Sequence, residues 1–115
     1  MVSKWTRAER RESKRHEFRI PCSIRATLDN GQPWNEDTWT VDVGTSGAHI
    51  VSSIGKVPVG TVTVTLSPPI DLRHVFPFDT VTRKARIVEV EMYSRDLEVA
   101  GLHVEFDEPI PVTLM

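Results

Sequence analysis

The chain has 115 residues, a formal net charge of −2 and a hydrophobic share of 39%, which together suit one small domain with a single modest core. Its one cysteine, Cys22, excludes an internal disulfide and a cysteine-based metal site, and it favours a reducing compartment. No apolar run approaches the ~20 residues of a membrane helix and no apolar segment follows the first charges, so we expect a cytoplasmic protein without a signal peptide.

The charge is distributed unevenly along the chain. Residues 1–25 carry eight Lys or Arg and three Glu, a balance of +5, whereas the other residues carry a balance of −7. Residues 1–17 contain few apolar side chains, so they predict a flexible basic arm. An acidic body makes nucleic acid an unfavourable partner, but the arm suits a small anion, a phosphate ligand or an acidic protein.

After the arm, the hydrophobic pattern acquires a period of two. Alternation from Phe18 to Leu28 predicts a half-buried strand, and a turn follows it. Residues 32–37 are predicted to form an exposed loop with Trp34 at its rim. A second strand over 37–43 is predicted to point Trp39 into the core.

Four further strands follow in chain order. A parity switch predicts a bulge near Ile87 in the third of them, and the apolar loop 70–79, which lies between the second and the third, is predicted to pack on a barrel end. The predicted strands cover residues 48–52, 60–67, 81–92 and 97–106.

These elements predict an all-β fold of about six strands without a convincing helix, either a small antiparallel barrel or a sandwich. The predicted organisation is the flexible basic arm (1–17), the barrel (18–107) and an extended tail (108–115).

The sequence offers little support for an enzyme. No nucleophile elbow, phosphate loop or paired-carboxylate signature is present. The four histidines lack metal-ligand spacing and are predicted to be solvated or lightly structural, with His103 facing outward. We therefore expect no catalytic residue, no metal and no cofactor. The four histidines are His16, His49, His74 and His103.

A binding function has better support. The arm is rich in arginine. An arginine side chain can bind phosphate, stack on a base, or donate two hydrogen bonds to the O6 and N7 atoms of guanine. The segment 42–47, DVGTSG, adds a carboxylate that accepts from the N1–H and N2–H donors of guanine, together with two glycines that permit a tight turn.

These residues resemble a known bacterial family. The segment 15–19, RHEFR, resembles the RxxxR motif that opens PilZ domains, and the segment 42–47 resembles their (D/N)xSxxG motif. Residues 57–60 and 101–106 also match the family's layout, so the resemblance spans about 10–106.

The resemblance implies a six-stranded antiparallel β-barrel that binds the second messenger cyclic di-GMP and wraps its arm over the ligand. The long C-terminal helix found in many relatives is not expected here. By position, Arg15 and Arg19 would contact guanine and phosphate, while Asp42 and Gly47 would belong to the second motif. Lys14 stands where an arginine in relatives accompanies binding of an intercalated ligand dimer. The implied function is a non-enzymatic receptor that signals to an unidentified downstream protein.

One departure from the family pattern leaves alternatives open. The motif serine is replaced by Gly44, which removes a hydroxyl worth about 1 kcal/mol of binding. The alternative is therefore a degenerate PilZ-like adaptor that ignores cyclic di-GMP and works by protein contact through loop 70–79. A small oligonucleotide-binding barrel is a third reading, which the acidic body disfavours.

Overall fold

Strands dominate the part of the chain that the computed structural model describes, namely residues 15–28, 30–53, 60–94, 96 and 98–113. Loop 70–79 contributes one short 3₁₀ helix, Ile70–Leu72. In chain order the strands are β1 (Arg15–His16), β2 (Pro21–Thr27), β3 (Pro33–Gly44), β4 (Gly47–Ser52), β5 (Thr61–Leu66), β6 (Val81–Ser94) and β7 (Val99–Phe106).

The strands form one antiparallel sheet that closes on itself. Its order is β1-β3-β2-β5-β6-β7-β4, and a further pairing between β3 and β4 closes six of the strands into a barrel. The short β1 is an addition that pairs with the end of β3. The predicted six-stranded antiparallel barrel is confirmed.

Alternation places the core residues inside this barrel as the sequence predicts. On β2 the buried Ile24 is flanked by outward residues, and on β5 the buried residues alternate with threonines. The side chains that this alternation buries on β2, β5 and β7 include Cys22, Ile24, Val62, Val64, Leu66, Leu102 and Val104.

The predictions for the two central tryptophans are wrong. β3 begins at Pro33, so Trp34 lies in a strand and is only 7% exposed, whereas Trp39 is 45% exposed. The cause is a register shift between Thr40 and Asp42, which reverses the parity of β3. A strict period of two that starts from the buried Val43 therefore assigns Trp39, on the other side of the bulge, to the core face by mistake.

The predicted bulge on the long strand is confirmed. The pairing of β6 with β7 shifts register between Ile87 and Glu89, and again between Met92 and Ser94. Because β5 pairs only with the first half of β6, the second half extends past it and exposes Val90 and Met92.

Loop 70–79 and the C-terminal residues pack together over the barrel. Val75 and Phe76 are buried as the predicted end packing requires, and Ile110 joins the same core. The N–H of Thr113 donates to the carbonyl of Val75 at 2.7 Å. Residues 107–108 form a bend and residues 109–113 have no regular secondary structure, while most of the predicted arm, residues 1–14, falls outside the described residues. In the described ranges, no helix has the length and apolarity to span a membrane.

The buried thiol of Cys22 yields a first prediction. Burial, with smaller contributions from the charges of Glu36 and Asp37, raises its pKa from 9.0 to about 12. Since the thiolate is the nucleophile, the folded protein at pH 8 should react with a disulfide reagent on the order of 100-fold more slowly than the urea-unfolded chain. Equal rates would contradict the buried position.

The same shift sets a pH dependence of stability. The folded pKa of Cys22 lies above its unfolded value, so the stability it contributes is complete below about pH 9 and is lost as pH rises from 9 toward 12. Cys22→Ala should remove this part of the alkaline slope in urea titrations at several pH values, and an unchanged slope would argue against it.

Candidate functional site

The two sequence motifs meet at one edge of the barrel. In β1, Arg15 pairs with Gly44 and His16 pairs with Val43 of β3. Arg15 belongs to the first motif and Gly44 to the second, so backbone pairing brings both motifs side by side. Lys14 lies just outside the described residues.

The backbone on either side of Arg19 is held by one buried threonine. The hydroxyl of Thr40 accepts from the N–H of Ile20 at 3.0 Å and donates to the carbonyl of Phe18 at 2.6 Å. The N–H of Thr40 also donates to the carbonyl of Ile20 at 3.0 Å. Phe18 and Ile20 face inward, and Arg19 between them is exposed.

We call these three hydrogen bonds of Thr40 the Thr40 clamp, and the loop over the barrel end supports it. The ring of Phe18 packs edge-to-face on the buried ring of Phe76, with centroids 5.6 Å apart. The base of the arm is therefore fixed from two sides, by Thr40 on β3 and by loop 70–79.

The turn of the second motif is held in place by the C-terminal part of the chain. Gly44 ends β3 and Gly47 begins β4, and both are buried. The carbonyl of Ser46 accepts from the N–H of Phe106 at 2.8 Å, and that of Thr45 accepts from the N–H of Ile110 at 3.0 Å. The motif glycines thus belong to a backbone that neighbouring segments fix.

A row of polar side chains crosses the outer face of the barrel next to this turn. Asp42 pairs with His49, His49 with His103, and His103 with Glu89, which spans β3, β4, β7 and β6. Directly opposite residues of antiparallel strands point to the same side of a sheet. Asp42 of the second motif therefore shares a face with two histidines.

The side chains in this region touch one another. The rings of His49 and His103 stack with centroids 3.8 Å apart, and Nδ1 of His49 lies 3.8 Å from Oδ2 of Asp42. Nε2 of His103 lies 3.2 Å from Oε1 of Glu91, and the Tyr93 hydroxyl lies 2.5 Å from Nε2 of His49. We call His49, Glu91, Tyr93 and His103 the histidine cluster.

Of the solvated or lightly structural roles that the sequence predicts, these two histidines take the structural one. His103 faces away from the core as expected, but its side chain is only 4% exposed and that of His49 only 9%. Their separation in sequence hides the contact, because it is created by the register between β4 and β7.

A glycine makes room for the histidine cluster. A Cβ at Gly101 would collide with Nε2 of His49 and with the hydroxyl of Tyr93. Gly101 faces Glu91 across β6 and β7, so the missing side chain leaves space for the tyrosine ring. A glycine inside an otherwise regular strand was the available sequence signal for this close approach.

Two open grooves lie elsewhere on the barrel. One of about 400 Å³ is lined mainly by β6 and β7 residues, including Lys84, Arg86 and Glu105. Another of about 360 Å³ lies beside the exposed Trp39 and includes Asp37 and Thr65. Neither groove contains a predicted site residue.

Comparison with known proteins identifies a fold relative. The structure is similar to that of the Bacillus subtilis inhibitor of motility, MotI/DgrA, with a TM-score of 0.63 and 14% sequence identity. The similarity covers 87% of this chain and 44% of that one, so the chain spans less than half the length of this relative. No protein-family model matches the sequence, and no curated protein matches it. At this identity the likeness supports the barrel fold alone.

The clamp on the arm predicts a stability effect. Thr40→Val keeps the shape but leaves the N–H of Ile20 and the carbonyl of Phe18 without the hydroxyl, so the free energy of unfolding should fall by about 1–3 kcal/mol. Urea denaturation measures it. Thr63→Val on β5 is the control, because it is also an isosteric change in a strand, and it should shift the free energy of unfolding by no more than about 0.5 kcal/mol. Equal effects for both variants would refute the clamp.

Proposed function

We propose that the chain is a PilZ-like domain that serves as a non-enzymatic receptor for cyclic di-GMP. The observation that carries the proposal is the pairing of Arg15 with Gly44, which places the two ligand motifs beside each other. The register of the β2–β3 hairpin brings these positions together, so a single ligand could contact both motifs.

The residues offer complementary chemistry to this ligand. Arg15 and Arg19 supply guanidinium groups for the phosphates and for the O6/N7 edge of guanine. Asp42 offers a carboxylate for the opposite edge of a guanine, which presents only N–H donors there. Asp42 lies two residues before the end of β3, and that end pairs with β1 of the first motif, so one ligand could reach both motifs.

Regulation would act through the arm. Ligand binding draws Lys14 and the preceding basic residues onto the bound phosphates, which orders the arm and creates a new surface for a protein partner in the bacterial cytoplasm. The pairing of β1 with β3 and the Thr40 clamp already hold the backbone from Arg15 onward, so the proposed rearrangement concerns the residues before Arg15.

Titration calorimetry with cyclic di-GMP tests the receptor. The intact chain should bind, and Arg15→Ala or Arg19→Ala should each weaken binding by about ten- to a hundredfold, the value of a charge-assisted hydrogen bond. Arg25→Ala is the matched control, an exposed arginine on β2 outside both motifs, and should leave binding unchanged. Absence of heat at about 50 μM ligand, with the arm intact, would refute the proposal.

Restoring the family serine gives a gain-of-function prediction. Gly44→Ser returns a hydroxyl to the second motif, and one additional hydrogen bond of about 1 kcal/mol should tighten binding about fivefold. The same calorimetric titration measures it, with thermal unfolding as the check that the buried position tolerates the change. A folded Gly44→Ser variant with unchanged affinity would show that the hydroxyl is dispensable in this protein.

The second candidate is the ligand-blind adaptor, which the missing hydroxyl at Gly44 favours. Its expected surface was loop 70–79, but Val75 and Phe76 are buried in the barrel end and only Ile70 of the large apolar residues there is strongly exposed. A folded barrel that gives no heat with cyclic di-GMP would support this second candidate.

A further inference from the structure

We propose that the histidine cluster is a binding site for a divalent cation of the zinc class. His49, Glu91 and His103 each present one ligand atom, and the three atoms lie within 4.8 Å of one another. Two imidazoles and a carboxylate form a donor set that zinc uses in sites with three protein ligands. This inference does not depend on the binding of cyclic di-GMP.

The sheet itself positions the two imidazoles. His49 on β4 and His103 on β7 are directly opposite in register, and their rings stack at 3.8 Å. Both side chains are buried and rise from paired strands, so little conformational freedom is lost when the stacked rings tilt to point their in-plane lone pairs at one cation.

The carboxylate completes the site from the third strand. Oε1 of Glu91 on β6 already lies 3.2 Å from Nε2 of His103. Tetrahedral zinc, with bonds of about 2.0–2.2 Å, places its ligand atoms roughly 3.4 Å apart, so the widest of the three separations, at most 4.8 Å, needs to close by no more than about 1.4 Å. Glu91 is 44% exposed, which gives the cation a path of entry and lets water take the fourth position.

Asp42 would orient one of the ligands. Its Oδ2 lies 3.8 Å from Nδ1 of His49, on the side of the ring away from Nε2. A carboxylate that accepts from one imidazole nitrogen fixes the ring and leaves the other nitrogen for the metal. Nε2 is therefore the ligand atom that we assign to His49.

Tyr93 now occupies the position next to that nitrogen. Its hydroxyl lies 2.5 Å from Nε2 of His49, so it must turn away when a cation takes the lone pair. The side chain is partly exposed and has solvent into which it can move. Removing the hydroxyl should thus leave the cation affinity equal or higher, whereas removing a ligand should lower it.

Calorimetric titration of the untagged full chain with ZnCl₂ is the test. We expect one Zn²⁺ per chain, a rise in the thermal unfolding temperature with added Zn²⁺, and the intense visible absorption of four-coordinate cobalt when Co²⁺ is used instead. Absence of stoichiometric binding at micromolar Zn²⁺ would refute the site.

Variants assign the binding to the histidine cluster. His49→Gln, His103→Gln and Glu91→Gln should each weaken Zn²⁺ binding at least about tenfold, while Tyr93→Phe should bind as well as the parent chain or better. His16→Gln and His74→Gln are the controls and should change nothing. If the buried-histidine variants fail to fold, the half-exposed Glu91→Gln decides the outcome. Full affinity in a folded Glu91→Gln or His103→Gln protein would overturn the assignment.

Discussion

The bulge between Thr40 and Asp42 is the constraint on which the rest of the site depends. It lets a single strand point Thr40 into the barrel, where its hydroxyl holds the peptide groups of Phe18 and Ile20, and point Asp42 outward toward His49. A regular strand would keep both even-numbered residues on one face. If Thr40 pointed inward in a regular strand, Asp42 would also point inward and would lose its contact with His49. If Asp42 pointed outward, Thr40 would also point outward, and the base of the arm would lose the Thr40 clamp.

The sequence predicts the fold well wherever alternation is unbroken. The strands β2, β5 and β7 bury the residues that a period of two selects, and the parity switch on β6 reveals its bulge near Ile87. The same reasoning fails on β3, because the switch there is hidden by apolar residues on both sides of the bulge. Trp34 and Trp39 consequently exchange their predicted core and surface positions.

The site could be predicted only in the parts that local motifs encode. The two motifs indicated Arg15 and Gly44 as neighbours in function, and the backbone pairing makes them neighbours in space. The contact between His49 and His103 has no local signature, since it depends on which strands pair and in which register. The local signal there is Gly101, because a glycine inside a strand indicates that side chains approach closely.

Asp42 belongs to both proposed sites, and this has an energetic consequence. A carboxylate has about four lone-pair positions, so it can accept from Nδ1 of His49 and still face the N–H edge of a guanine. A cation held by His49 and its neighbours would add positive charge close to the anionic dinucleotide. Because the region is partly desolvated, this charge would strengthen the binding of the dinucleotide. Binding free energies are reciprocal, so the dinucleotide would in turn tighten the cation. The outer face of β3 and β4 would then respond to two signals through one side chain, whose orientation the bulge on β3 sets.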